Sequence, residues 1–203
     1  MLTGCGGGAR ELLFIFSELP DKYFHNDISA STDPYRIPEA SWQKTLPATF
    51  NHDGWPRSTW HFLERTGTGG LIVIENGEVV YEAYSLGTHE NTRYTSWSVS
   101  KSFVSALVGM AIEQGYIASV DDLVSSYVPE LLHTAYADVT IKNALQMSSG
   151  IDFDESGADL NSDAFQLLLS ALASNDEFIY TLKDKRNPPG TYNYYASSDT
   201  QVL

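Results

Sequence analysis

The chain has 203 residues, 42% hydrophobic and 19% charged, a balance that supports a folded core and excludes disorder for most of its length. A formal charge of -14 at pH 7, with an isoelectric point near 4.5, opposes nucleic-acid phosphates and anionic bilayers, because like charges repel on approach. The single cysteine, Cys5, excludes an internal disulfide. The five histidines, His25, His52, His61, His89 and His133, are scattered without metal-ligand spacing, so neither a metal nor a cofactor is expected.

No run of about 18 apolar residues occurs, so no transmembrane helix is expected. Leu2-Thr3-Gly4-Cys5 resembles a bacterial lipobox, in which the cysteine takes a lipid anchor after signal cleavage, and Gly6-Gly7-Gly8 suits a tether. The charged start and apolar stretch that should precede such a box are missing. Two readings stand. Either the start codon is assigned too far downstream, making Cys5 a lipidation site and the cell envelope or periplasm the location, or the match is chance and the protein is cytoplasmic.

Residues 1–55 are rich in turn formers and aromatics without a sustained period, and read as an N-terminal leader wrapping a domain that occupies 56–203. Leu71-Ile72-Val73-Ile74-Glu75 and Glu78-Val79-Val80-Tyr81-Glu82-Ala83-Tyr84 flank Asn76-Gly77, which predicts a β-hairpin around a type I′ turn. A helix is predicted from Ser98 to Gln114, with Val104, Leu107, Val108, Ala111 and Ile112 on one stripe and Phe103 and Met110 on another side. Apolar on most of its girth, it is expected to be buried, with Gly115 as a left-handed cap. A short helical turn should run to Pro129, a helix from about Thr140 to Met147 should stop at Ser148-Ser149-Gly150, and another should span Ser162 to Ala173. A hairpin followed by helices predicts a mixed α/β (α+β) fold, an antiparallel sheet flanked by helices, with a helical lobe inserted over about 116–187.

Ser98-Val99-Ser100-Lys101 is a Ser-x-x-Lys motif. With 22 serines and 6 lysines, about 0.65 such matches arise by chance, and Ser41-Trp42-Gln43-Lys44 is a second one. Only Ser98 opens an apolar helix. There Lys101 at i+3 shares its face, and the electropositive helix start favours an alkoxide and offers free N–H groups to an oxyanion. A lysine works as a base when burial or a neighbouring cation lowers its pKa toward neutrality. The alternative reading of the same residues is a plain N-cap serine with a solvated lysine.

The hairpin, Tyr94-Thr95-Ser96-Trp97-Ser98-Val99-Ser100-Lys101-Ser102, the run Val120 to Leu131, the run Val139 to Gly150 and Pro189-Gly190-Thr191 together resemble, in order and in spacing, the class C β-lactamase-like branch of the penicillin-binding-protein superfamily. The closest flavour is that of 6-aminohexanoate-dimer hydrolases and related esterases. The resemblance implies a serine hydrolase of ester or amide bonds, with Ser98 as nucleophile, Lys101 as base and Tyr195 in proton transfer. Tyr195-Ala196-Ser197 stands where the family has Tyr-x-Asn, which puts Ser197 at a substrate-binding position and disfavours a β-lactam relative to a small ester or linear amide. Tyr192 and Tyr194 compete with Tyr195 for the role. The family's third motif, Lys-Thr-Gly or His-x-Gly, does not occur before Leu203, so a fold incomplete at the C-terminus is expected. Half the family's oxyanion hole comes from that later strand, and losing one such donor costs about 3 kcal/mol, so the fragment itself is expected to be weak or inert. A non-catalytic sensor of peptidoglycan or another ligand is the alternative function.

Overall fold

The computed structural model describes residues 27–156, 159–170 and 174–203, which fall into two compact units, Met1–Ser96 and Trp97–Leu203. Cys5, and with it the lipobox-like start, lies outside the described residues.

The first unit is built from two antiparallel hairpins. Strands β1 (Thr49–His52) and β2 (Trp55–Ser58) turn at Asp53 and Gly54, whose φ of 51° and 77° are both left-handed, as a type I′ turn requires. Residue 55, where the leader was expected to end, is therefore the first residue of β2. Helix α1 (Thr59–Arg65) follows directly, its start closed by the Ser58 hydroxyl accepting from the His61 amide at 3.3 Å. The predicted hairpin is present as β3 (Gly70–Glu75) and β4 (Glu78–Tyr84), with Asn76 and Gly77 at φ of 53° and 82°. Pro38 to Lys44 runs along β4, where the Val79 amide donates to the Pro38 carbonyl at 2.8 Å and the Lys44 amide to the Val80 carbonyl at 2.7 Å. Val79 and Val80 are buried there.

The second unit carries the other helices and most of the core. Trp97–Val99 forms a 3-10 turn that leads into α2 (Ser100–Glu113), and Gly115 follows the helix at φ 78°. Two 3-10 turns, Val124–Ser126 and Pro129–His133, precede α3 (Ile141–Leu145). Thr140 and Asn143 close the start of α3 with a reciprocal capping box, each side chain accepting from the other residue's amide. Helices α4 (Asp163–Ser170), α5 (Asn175–Ile179) and α6 (Ser197–Gln201) complete the unit. Leu131, Tyr136, Val139 and Phe153 are fully enclosed in one cluster with Val108, Ile141 and Ile151.

One expectation is corrected. Helix α2 is not buried over most of its girth: Val108 alone is buried, while Phe103 and Leu107 stay 68% and 61% exposed. Cover reaches the first stripe only in part: Val104, Ala111 and Ile112 are half-buried beside Val108, Ile112 packs against the core cluster, and Leu107 on the same stripe stays exposed.

A polar cluster sits inside this core. The Tyr136 hydroxyl lies 2.8 Å from Ser198 Oγ and 2.9 Å from Asp199 Oδ1, with Ser149 beside them, and all are buried. Burial pushes the Asp199 carboxyl up to about 6, and hydrogen bonding from Ser149 and Tyr136 offsets only part of that rise. The folded state thus holds a proton that the unfolded chain releases near pH 4, so stability falls as pH rises from about 4 to 6 and is level above. Two pKa units correspond to about 3 kcal/mol. Asp199→Asn keeps the shape without the charge and should gain up to that amount at pH 7 and nothing at pH 4, as measured by urea melts at both values.

Candidate active site

Ser98 is the central residue of the 3-10 turn that opens α2. Trp97, just before it, has φ of 45°, a left-handed backbone that costs a bulky residue on the order of 1 kcal/mol, and the Ser100 hydroxyl donates to the Trp97 carbonyl at 2.7 Å to hold this bend. One turn on, Lys101 is half-buried, and its Nζ donates to Ser98 Oγ at 3.1 Å. No acidic side chain lies in the first turn of α2 and no side chain caps it, so the helix start keeps its positive character.

Tyr195 reaches the same oxygen from 97 residues away, its hydroxyl donating to Ser98 Oγ at 2.8 Å. The segment carrying it is tied to the end of α3. The Tyr194 amide donates to the Met147 carbonyl at 2.8 Å, the Gly190 amide to the Ser148 carbonyl at 2.8 Å, and Asn193 Nδ2 to the Gln146 carbonyl at 2.8 Å. Gly150 permits this docking. Its φ is 76°, and a Cβ there would meet the Asn187 carbonyl oxygen at 2.0 Å. Of the competing tyrosines, Tyr194 lies under Arg186, 4.4 Å from ring centroid to guanidinium carbon, and Tyr192 is exposed.

Lys101 Nζ lies 5.2 Å from the Tyr195 ring centroid. Burial raises the Tyr195 phenol, but hydrogen bonding to Lys101 and Ser98 and the charge of Lys101 outweigh it, so the phenol is held below its ordinary value. Glu155 pushes the other way.

Ser197, the first residue of α6, accepts from Lys101 Nζ at 3.3 Å and donates its hydroxyl to Glu155 Oε1 at 2.6 Å. Its amide donates to Glu155 Oε2 at 2.7 Å. Sequence reasoning missed Glu155, one acidic residue among 26 and without a motif around it. A cleft of about 310 Å³ opens beside Lys101, walled by Ser102, Ser105, Leu145, Met147 and Leu203.

The second Ser-x-x-Lys pair is occupied elsewhere. Lys44 pairs with Glu75 at 2.6 Å and lies 5.5 Å from the Trp42 ring centroid, and Ser41 heads no helix.

A serine held between a lysine and a tyrosine at the start of a helix has the geometry that a serine nucleophile with a lysine base requires. The beta-lactamase family profile matches residues 61–203, and the chain belongs to that family. It is 33% identical over 151 residues to the 6-aminohexanoate-dimer hydrolase of Paenarthrobacter ureafaciens, a match covering 70% of this chain and 38% of that protein. A solved structure from Bacillus anthracis, provisionally named a 6-aminohexanoate-dimer hydrolase, superposes with a TM-score of 0.79 at 21% identity, over 94% of this chain and 53% of the other. The chain thus spans 38% of the curated relative and about half of the solved structure.

Proposed function

We propose that the protein hydrolyses an ester or amide through a covalent acyl-enzyme on Ser98. The observation that carries this is the double hydrogen bond on Ser98 Oγ, from Lys101 Nζ at 3.1 Å and Tyr195 Oη at 2.8 Å. Lys101, as the free amine, takes the Ser98 proton while Oγ bonds to the substrate carbonyl carbon. The tetrahedral oxyanion then collapses, the bond to the leaving group breaks, and Tyr195 gives that group a proton, recovering one from Lys101. Water enters by the same route in reverse and frees the acid and Ser98. The lowered phenol of Tyr195 suits this role, because an acid whose pKa is moved toward the working pH gives up its proton more readily.

Support for a small ester or linear amide over a β-lactam comes from Ser197 at the asparagine position, where its hydroxyl is turned to Lys101 and Glu155. The names of the two similar proteins, both hydrolases of a 6-aminohexanoate dimer, favour the same class.

A serine-directed fluorophosphonate tests the reading on the full-length protein. Stoichiometric, time-dependent labelling that a p-nitrophenyl ester competes away is the expected result. A folded protein that binds ligand yet takes no label would instead be a non-catalytic sensor.

A further inference from the structure

Ser197 has two protons to donate, one on its amide and one on its hydroxyl, and both go to a single carboxylate. Oε2 of Glu155 accepts the amide at 2.7 Å and Oε1 accepts the hydroxyl at 2.6 Å. With its hydroxyl proton committed, Ser197 Oγ has only lone pairs left to present, and Lys101 Nζ stands 3.3 Å from them. The same nitrogen is 3.1 Å from Ser98 Oγ. These distances form one directed chain from Glu155 through Ser197 to Lys101 and Ser98.

We propose that Glu155 is a positioning residue that acts through Ser197, fixing Ser197 as an acceptor so that Lys101 is held against Ser98 and its ammonium form is stabilised once it has taken the serine proton. The proposal rests on the acyl-enzyme reading above. It reassigns Ser197 from substrate contact to partner of the base: a hydroxyl whose proton is held by Glu155 is not free to donate to a substrate carbonyl.

The fold places Glu155 with some care. Phe153 is fully enclosed in the core, the Asp154 amide donates to Asp163 Oδ2 at 2.7 Å, and the Ala164 amide donates to the Asp154 carbonyl at 3.0 Å. Residues 153–155 are thereby pinned at the start of α4, and Glu155 itself is half-buried. A carboxylate accepting two N–H or O–H bonds makes charge-assisted contacts, roughly twice as strong as neutral ones.

Glutamine is the informative substitution. It keeps one acceptor oxygen, but its amide nitrogen can only donate, so one of the two Ser197 protons loses its partner, or the new N–H competes with Lys101 for Ser197 Oγ. The charged groups facing Tyr195 are Lys101 on α2 and Glu155 on the 153–156 segment, with Asp199 beyond Ser197 on α6. Because Glu155 raises the Tyr195 phenol, removing its charge lowers that phenol further.

The test is steady-state hydrolysis of p-nitrophenyl acetate by the full-length protein across pH, for Glu155→Gln, Ser197→Ala and the double variant. Glu155→Gln should lose about 100-fold in kcat with KM little changed, the scale expected when a reacting group is displaced by about 1 Å. Its alkaline limb should move to lower pH. The double variant should be no worse than Ser197→Ala alone, since both act on one contact. Wild-type kcat and pH profile in Glu155→Gln, or losses that multiply in the double variant, would overturn the assignment. If Glu155→Gln does not fold by circular dichroism, Ser197→Ala carries the test, and wild-type kcat there overturns it equally. Fluorophosphonate labelling separates the two levels: an unmutated protein that takes no label condemns the acyl-enzyme reading itself, whereas normal labelling with unaffected variants condemns only the role of Glu155.

Discussion

Ser98→Ala is expected to lower kcat/KM for p-nitrophenyl esters by on the order of 10^4-fold or more in the full-length protein, because the step it removes is bond formation itself. Ser41→Ala, in the other Ser-x-x-Lys pair, should leave turnover nearly intact. The contrast is sharp because the two serines share a sequence motif and differ only in surroundings. Ser98 Oγ receives hydrogen bonds from Lys101 and Tyr195, whereas Lys44 is engaged by Glu75. Equal activity in Ser98→Ala and the unmutated protein would remove the mechanism.

Lys101→Ala should be the next most damaging change, with a loss in kcat of about 10^2- to 10^4-fold, the range a positioned general base contributes. Two consequences identify the base rather than a generic disturbance. Fluorophosphonate labelling of Ser98 should slow in parallel with turnover, since both need the serine deprotonated. Thermal stability should change little, because Lys101 lies outside the enclosed core cluster and its hydrogen bonds are to two hydroxyls at the mouth of the site. A Lys101→Ala protein that labels at the unmutated rate would assign proton removal to another group, with Tyr195 the first to examine.

The legibility of these features follows from how far apart their partners lie in the chain. The Ser98 and Lys101 pair is a three-residue relation on one helix, so spacing alone implies proximity. The β3–β4 hairpin is as local, its turn specified by Asn76-Gly77. Tyr195 is different. Three tyrosines lie within four residues, and family resemblance, not local chemistry, singles one out. What selects it physically is the tie between Tyr194 and Met147 and the clearance at Gly150, both tertiary.

Other features were beyond reach for stated reasons. Glu155 meets Ser197 across 42 residues, and no pattern distinguishes it from the other acidic residues. Ser198-Asp199 reads as a polar helix start, yet both residues are fully buried, because Tyr136 offers a hydroxyl inside the core. Val104, Leu107, Val108, Ala111 and Ile112 form one stripe of α2 in sequence, yet Leu107 is exposed and Val108 alone is buried, because the depth of cover comes from residues distant in the chain, such as Val124 and Phe153, that periodicity does not place.

The central claim, that Ser98 carries the acyl group, is tested most directly by locating the fluorophosphonate adduct. Trypsin releases Tyr94 to Lys101 as one peptide holding Ser96, Ser98 and Ser100, and fragmentation of that peptide in a mass spectrometer separates the three. The account predicts the added mass on Ser98 and on no other residue. An adduct on Ser41, on Ser100 or on Tyr195, with Ser98 unmodified, would contradict it.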